Sequence, residues 1–428
     1  MIWRDCCNTP APGVHVQQQP IEQFHVLSFE GPDPYARAGG IASRVTGLVE
    51  ALAGAGLQPH LWFIGDPDQP GHEQRGGVML HRWCQWISRY HPSGVYANED
   101  GKCADYAASL PPYLLEHALL PGLASGRQAV VLAEEWHTAE AVLRLDALLR
   151  NAGLRDRVRI FWNANNTFGF DRIDWARLQR AATVVTVSRY MRQCMRGYGV
   201  DALVIPNGLG PESYCQPAAE AVQELRRRFE RRLLLAKVAR WDPDKRWLLA
   251  VATVAELKRH RLAPLLVARG GIEAHEREVL DQARRLGLRV TERRSEHGGT
   301  RGLLEVLSDT DQSDIVVMRS HLDAEARGVL FRGADAVLAN SAHEPFGLVG
   351  LEAMAVGGLA CTGASGEDYA VDGQNALVLH RDDPGEFMSL FGRVRSSGAA
   401  DALRQSAQLT AQHYAWPRVV ERCLLPRV

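Results

Sequence analysis

Short, nearly continuous apolar runs alternate along this chain with longer segments whose apolar residues recur at helical spacing. Runs at 24–29, 59–64, 130–133, 159–162, 183–187 and 203–206 read as buried strands. A glycine-rich loop and a helix over 41–55 follow the first of them. Asn207-Gly208 is a turn pair and marks a domain boundary. A second series has strands at 233–238, 264–268, near 290, 315–317 and 336–338, with helices over 245–260 and 273–286. Strands alternating with helices predict parallel sheets in α/β domains. A helix from about 399 and a last segment with Trp416 end the chain, which has no internal repeat and no low-complexity linker. The expectation is an α/β protein with two doubly wound, Rossmann-like domains facing each other across a deep cleft. Ligands in such folds bind outside the carboxyl ends of the strands.

The length, 428 residues, agrees with two or three domains, and 46% apolar content is ample for packed cores. A net charge of -1 carries no basic signature of a nucleic-acid binder. The densest basic run, 226–232, reads as a solvated helix face. Eight cysteines are scattered without zinc-finger or C-x-x-C spacing, and the adjacent Cys6 and Cys7 do not readily bridge. This points to a reduced, cytoplasmic protein. The N-terminal segment lacks a long apolar h-region, and no stretch approaches the ~20 apolar residues of a membrane span.

Candidate chemistry concentrates at 343–355, His-Glu-Pro-Phe-Gly-Leu-Val-Gly-Leu-Glu-Ala-Met-Ala. Glu344 and Glu352 stand eight positions apart, with a turn and the start of an apolar helix between them. Glu344 then falls on a strand-to-helix loop and Glu352 inside the helix. Helix N-termini present unpaired N–H donors and partial positive charge, which is an anion-binding geometry. A second place is Ala-Arg-Trp-Asp-Pro-Asp-Lys at 239–245, where Arg240 ends a buried strand and Lys245 opens a helix. Arg offers a planar fork and Lys a compact charge for phosphate oxygens. The bland alternative pairs them with Asp242 and Asp244 on the surface.

The 344–355 run resembles the E-x7-E signature of retaining, nucleotide-sugar-dependent glycosyltransferases of GT-B architecture, the family 4 type. The resemblance covers most of 24–420. It implies domains over 1–207 (acceptor side) and 208–400 (nucleotide-sugar side), with a helical tail over 401–428 that crosses back to the first domain. It implies Glu344 on the donor sugar and Glu352 on the ribose. Phe346, Gly347, Leu348 and Val349 then lie at the donor, and Arg240 and Lys245 on the departing diphosphate. The chain departs from the family at Ala239 and Arg246, where glycine is usual.

Glu134-Glu135-Trp136-His137-Thr138 is similar to the H-x-H-D-W-H-T loop of glycogen and starch synthases. His137 matches the last histidine, near the reacting carbon, whereas Leu132 and Glu134 replace the first two. Gly39 and Gly40 resemble the loop that meets donor phosphate. Val187-Ser188-Arg189 and Ile205-Pro206-Asn207-Gly208 match an architectural stretch. Gly270, at a strand end, is expected near the nucleobase. Trp86 and Tyr90, in an aromatic segment opening at His81, and Asn165 are acceptor candidates, because aromatic faces stack on sugars and amides read hydroxyls.

The resulting expectation is a retaining glycosyltransferase. It moves a sugar from a UDP-, GDP- or ADP-linked donor to a carbohydrate or other acceptor hydroxyl, with no metal and no cofactor. If the acceptor is a lipid, it is reached from the membrane surface. The alternatives are a GT-B-fold epimerase or phosphorylase, or a non-catalytic sugar-nucleotide binding protein. Sugar, base, acceptor and oligomeric state are not legible.

Overall fold

A computed structural model describes residues 21–428. Cys6, Cys7 and the segment on which the leader expectation rests lie outside the described residues. Two compact units form: one comprises residues through Gly208 together with Ala415–Val428, and the other Leu209–Tyr414.

The first unit carries β1 (Ile21–Leu27), β2 (Gln58–Ile64), β3 (His72–Arg75), β4 (Val78–Trp83), β5 (Gln128–Glu134), β6 (Val158–Ala164), β7 (Thr183–Thr186) and β8 (Leu203–Val204). They lie in the order β3-β4-β2-β1-β5-β6-β7-β8, all parallel except the β3–β4 hairpin. Central strands buried on both faces need continuous apolar sequence. Phe24, Val26, Leu61, Phe63, Val130 and Leu132 meet that need.

The second unit carries β9 (Leu233–Val238), β10 (Pro264–Arg269), β11 (Val290–Arg293), β12 (Ile315–Met318), β13 (Ala336–Ala339), β14 (Ala360–Thr362) and β15 (Leu377–Val378). Their order is β11-β12-β10-β9-β13-β14-β15, with every pair parallel.

Each sheet has one switch point, where the strand order reverses: β1/β5 in the first unit and β9/β13 in the second. The register sets Leu27 beside Ala133, so the loops after β1 and β5 leave the same edge together. Val337 lies beside Ala236, which does the same for the loops after β9 and β13. Crevices at such reversals are where doubly wound folds bind ligands.

The aromatic segment opening at His81 begins inside β4, residues 78–83, and one expectation, that of the tail, needs correction. Gly76 and Gly77, both at positive φ (55° and 82°), make the two-residue turn that pairs β4 with β3. The tail does not begin at 401. The helix Ala400–Gln412 belongs to the second unit and buries Leu403 in its core. Only Ala415–Val428 joins the first unit, where Trp416, Val419 and Val420 enter the core beside the helix Gly40–Gly54. The Trp416 indole lies where a Cβ on Gly47 would stand, 2.3 Å away, and 2.5 Å from one on Gly208.

The basic run 226–232 begins in the last turn of the helix Ala219–Arg228, where Arg226, Arg227 and Arg228 are exposed. Among the described residues no disulfide joins the cysteines, and no helix is long and apolar enough to cross a membrane.

Candidate active site

At the β9/β13 switch point, β9 delivers Arg240 and Lys245, and β13 delivers Glu344. Lys245 Nζ donates to Glu344 Oε2 at 2.7 Å. Each side chain is about one-fifth exposed, so the pair faces outward from a largely dry rim. Arg240 is exposed, and its guanidinium has no partner among the described residues. Its main-chain carbonyl accepts from Trp247 Nε1 at 2.7 Å, which fixes the backbone from which it projects.

The bland pairing with Asp242 and Asp244 does not occur. Asp242 accepts from the Asp244 N–H at 2.9 Å and caps the short turn Pro243–Lys245. Asp244 accepts from the His343 N–H at 3.2 Å, and its carbonyl from the Ala342 N–H at 2.8 Å. Asp242 therefore fixes its own turn, Asp244 stitches the two loops together, and both leave the cations to other work. Arg246 has φ 51°, the left-handed conformation that glycine adopts freely. The loop thus keeps a glycine's path at Arg246, whose guanidinium lies 2.7 Å from Asp382. Ala239 is not at positive φ.

Gly347, at φ 84°, opens the helix Leu348–Ala355, and no side chain caps that terminus. Leu348 and Val349 are half-buried on its first turn. Phe346 turns inward, 3% exposed, against Tyr369 and Tyr414. Only its main chain is left for a ligand. Glu352 lies deeper in the helix, 3.5 Å from Arg327. Burial raises its carboxyl pKa, Arg327 opposes the rise, and Glu212 adds to it. Gly270 is buried, and a Cβ there would meet the Trp241 indole at 2.1 Å, so packing alone accounts for this glycine.

The β1/β5 switch point of the first unit gathers a different set. Glu30 Oε2 accepts from the Gly39 N–H at 2.9 Å and the Ala42 N–H at 3.0 Å. A carboxylate of the chain therefore takes two donors of the loop expected to meet phosphate, while Gly39 and Gly40 remain exposed. Tyr96 donates to the other Glu30 oxygen at 2.6 Å.

His137 is buried, stacked on Phe29 at 4.3 Å, with Nε2 2.7 Å from Glu99 Oε1. Burial lowers its pKa, and Glu99 works against the shift. Glu135, at φ 67°, accepts from the Asn165 N–H at 2.7 Å, and burial pushes its carboxyl up to about 8. Glu134 is held by Arg44 at 3.0 Å and by the side-chain amides of Asn163 and Asn165 at 2.7 and 2.8 Å. Asn165 thus spends its amide N–H on Glu134. Trp86 and Tyr90 are 65% and 76% exposed, and Trp86 Nε1 donates to Asp105 at 3.2 Å.

Sequence reading missed Glu30, Glu99, Arg44, Lys237, Ser365 and Glu367. Two had a signal: Arg44 interrupts the apolar stripe of a helix, and Lys237 interrupts the apolar run of β9. Lys237 is buried, donates to Leu338 O at 3.1 Å and Asn340 Oδ1 at 3.0 Å, and is pushed down to about 7 by burial. Among the described residues no cluster of His, Cys, Asp or Glu is arranged to hold a metal.

Residues 38–213 match the model of Glycosyltransferase Family 4. No curated protein sequence matches the chain. Among solved structures the chain is similar to a sucrose-phosphate synthase from Thermosynechococcus elongatus, with 19% identity and TM-score 0.64 over 94% of this chain and 96% of that one. A UDP-forming α,α-trehalose-phosphate synthase from Burkholderia xenovorans has 14% identity and TM-score 0.64, covering 95% and 98%. The catalytic domain of Starch Synthase IV from Arabidopsis thaliana, bound to ADP and acarbose, has 15% identity and TM-score 0.63, covering 94% and 100%. These likenesses give the fold, which is GT-B. The family match over residues 38–213 supports a glycosyltransferase.

Proposed function

We propose that the protein is a retaining, metal-independent glycosyltransferase that uses a nucleotide-diphosphate sugar. One observation carries the reading: an exposed Arg240, the Lys245–Glu344 pair and an uncapped helix terminus at Gly347 converge on one switch point. Donors fixed in place before reaction stabilise charge as it develops on a leaving group. Here that charge is on the diphosphate as the bond to the anomeric carbon breaks. Arg240, Lys245 and the first-turn N–H groups meet it. Glu344 accepts from sugar hydroxyls, Glu352 from the ribose, and His137 acts near the reacting carbon. The ADP in the starch synthase domain, and the glucose-6-phosphate in a Burkholderia xenovorans trehalose-phosphate synthase, support a nucleotide donor and a sugar acceptor. The first unit is proposed to take the acceptor, with Asn165 among its polar groups.

The experiment is a thermal-shift panel of UDP, GDP and ADP, since a ligand of the folded state raises stability. The responding nucleotide's sugars are then incubated with sugar acceptors, and the product anomer is read by NMR. A product with the donor's anomeric configuration is expected. No response to any nucleotide, inversion, or epimerised donor without transfer overturns the reading.

A further inference from the structure

We propose that Ser365 and Glu367 are positioning residues for the transfer, setting the main chain of Glu344 and through it the Lys245–Glu344 pair. This rests on the functional reading above.

Both lie on the loop that follows β14, the strand next to β13. The Glu344 N–H donates to Ser365 Oγ at 2.8 Å, and that hydroxyl donates to Glu367 Oε2 at 3.2 Å. The Ser365 N–H reaches the same oxygen at 3.1 Å, and the Gly363 N–H reaches Oε1 at 3.2 Å. The carboxylate thus receives three donors. It turns the serine proton toward itself, which leaves the serine lone pairs for Glu344.

The same loop holds Glu344 from a second side, because the Gly366 N–H donates to the Glu344 carbonyl at 2.8 Å. A Cβ on Gly366 would stand 2.2 Å from the carbonyl oxygens of both Glu344 and Pro345. Tyr369 donates to the Gly347 carbonyl, at the start of the helix. Glu344 is therefore gripped at its N–H and its carbonyl by one loop, while its carboxylate reaches Lys245.

Glu367 is 5% exposed. Burial first, and repulsion from Glu344 second, push its carboxyl up to about 7. The groups facing it are Glu344 with its partner Lys245, from the loops after β13 and β9. Tyr369 lies on its own loop, and Tyr414 packs beside Tyr369. A proton on Glu367 sets a donor among three donors and unmakes the relay. Its loss as pH rises through about 7 builds the clamp.

The test compares wild type, Glu367→Gln and Ser365→Ala in steady-state transfer across pH, with nucleotide affinity by calorimetry and folding by melting. Wild-type kcat should fall as pH drops through about 7. Both variants should lose kcat about 10- to 100-fold, as misplaced catalytic groups do, with the acid limb gone and nucleotide affinity kept. Ser365→Ala removes only one oxygen and carries the test if Glu367→Gln does not fold. Wild-type kcat in Ser365→Ala, a retained acid limb, or a matching loss of nucleotide affinity overturns the proposal. Wild-type protein that binds nucleotide but transfers nothing overturns the functional reading itself, and this proposal with it.

Discussion

Lys245 and Glu344 stand 99 residues apart in the chain and meet at 2.7 Å because β9 and β13 are neighbours at the reversal of their sheet. The pair joins the two chemistries that a sugar nucleotide demands, a cation for phosphate and a carboxylate for hydroxyls. Each side chain also restrains the other's rotamer, so neither has to be ordered when a ligand arrives. Arg240 sits on the same loop as Lys245 without a partner among the described residues, which leaves its whole fork to an anion.

Arg240→Ala should weaken nucleoside diphosphate binding by about 1.5–3 kcal/mol, the range for hydrogen bonds to charged groups. Its exposed side chain packs on nothing that folding needs, so the melting temperature should hold. Unchanged affinity by calorimetry removes Arg240 from the site.

Glu344→Gln should mainly lower kcat, and Glu352→Gln should mainly raise the donor KM. A group acting only in the transition state affects kcat, whereas one that holds substrate and transition state alike affects KM. Glu344 touches Lys245, whereas Glu352 lies deeper in the helix beside Arg327. Loss of turnover at saturating donor in Glu352→Gln, with Glu344→Gln intact, reverses the two roles.

Transfer should persist in EDTA, because the proposed site meets the diphosphate with side-chain cations and helix N–H groups. Full loss in chelator, restored by Mg²⁺ or Mn²⁺, rejects that expectation.

Acid should destabilise the first unit through a histidine ladder on β1 to β4. His60 Nδ1 lies 3.0 Å from His81 Nε2, and His72 Nδ1 lies 2.8 Å from His81 Nδ1. The His25 ring lies tilted against His60 at 4.7 Å, and Trp62 stacks on His81 at 3.7 Å. Burial lowers His25 and takes His60 to about 4 and His81 to about 3. These folded values lie below the unfolded 6.5, so the native sheet favours neutral rings. The stability this contributes is full above 6.5 and is lost as pH falls toward 4 and then 3. A loss on the order of a few kcal/mol is expected. Urea unfolding at a series of pH values should show it, with a shallower slope in His81→Phe. Equal slopes in the two proteins discount the ladder.

Trp416→Ala should cost about 3–5 kcal/mol, as for other buried tryptophans. The indole fills the space beside Gly47 and Gly208 and lies 5.6 Å from the Arg44 guanidinium. Gly47→Ala should cost about 1–3 kcal/mol from the other side, by overpacking. Additive losses in the double variant would mean that the two sites do not share that space, since contacting residues couple.

The linear pattern of residues by itself determined where the long elements lie and which charged side chains stand at the strand ends of the second unit. The run 233–238 is β9 to the residue, because a strand covered on both faces must be apolar throughout. Glu344 before a helix start, and Arg240 and Lys245 after a strand, were legible because strand ends and helix starts follow local periodicity. Only the tertiary structure decided what those ends meet. The three-residue β14 and two-residue β15 are too short to carry a period, yet β14 brings Ser365 and Glu367 beneath Glu344. Glu30 occupies donors of the loop at Gly39, and Trp416 joins a helix hundreds of residues upstream. The physical reason is the same in each case. Periodicity reports which side of an element is dry, whereas the partner that dries it is chosen by strand order and register, and those are properties of contacts between segments far apart in the chain.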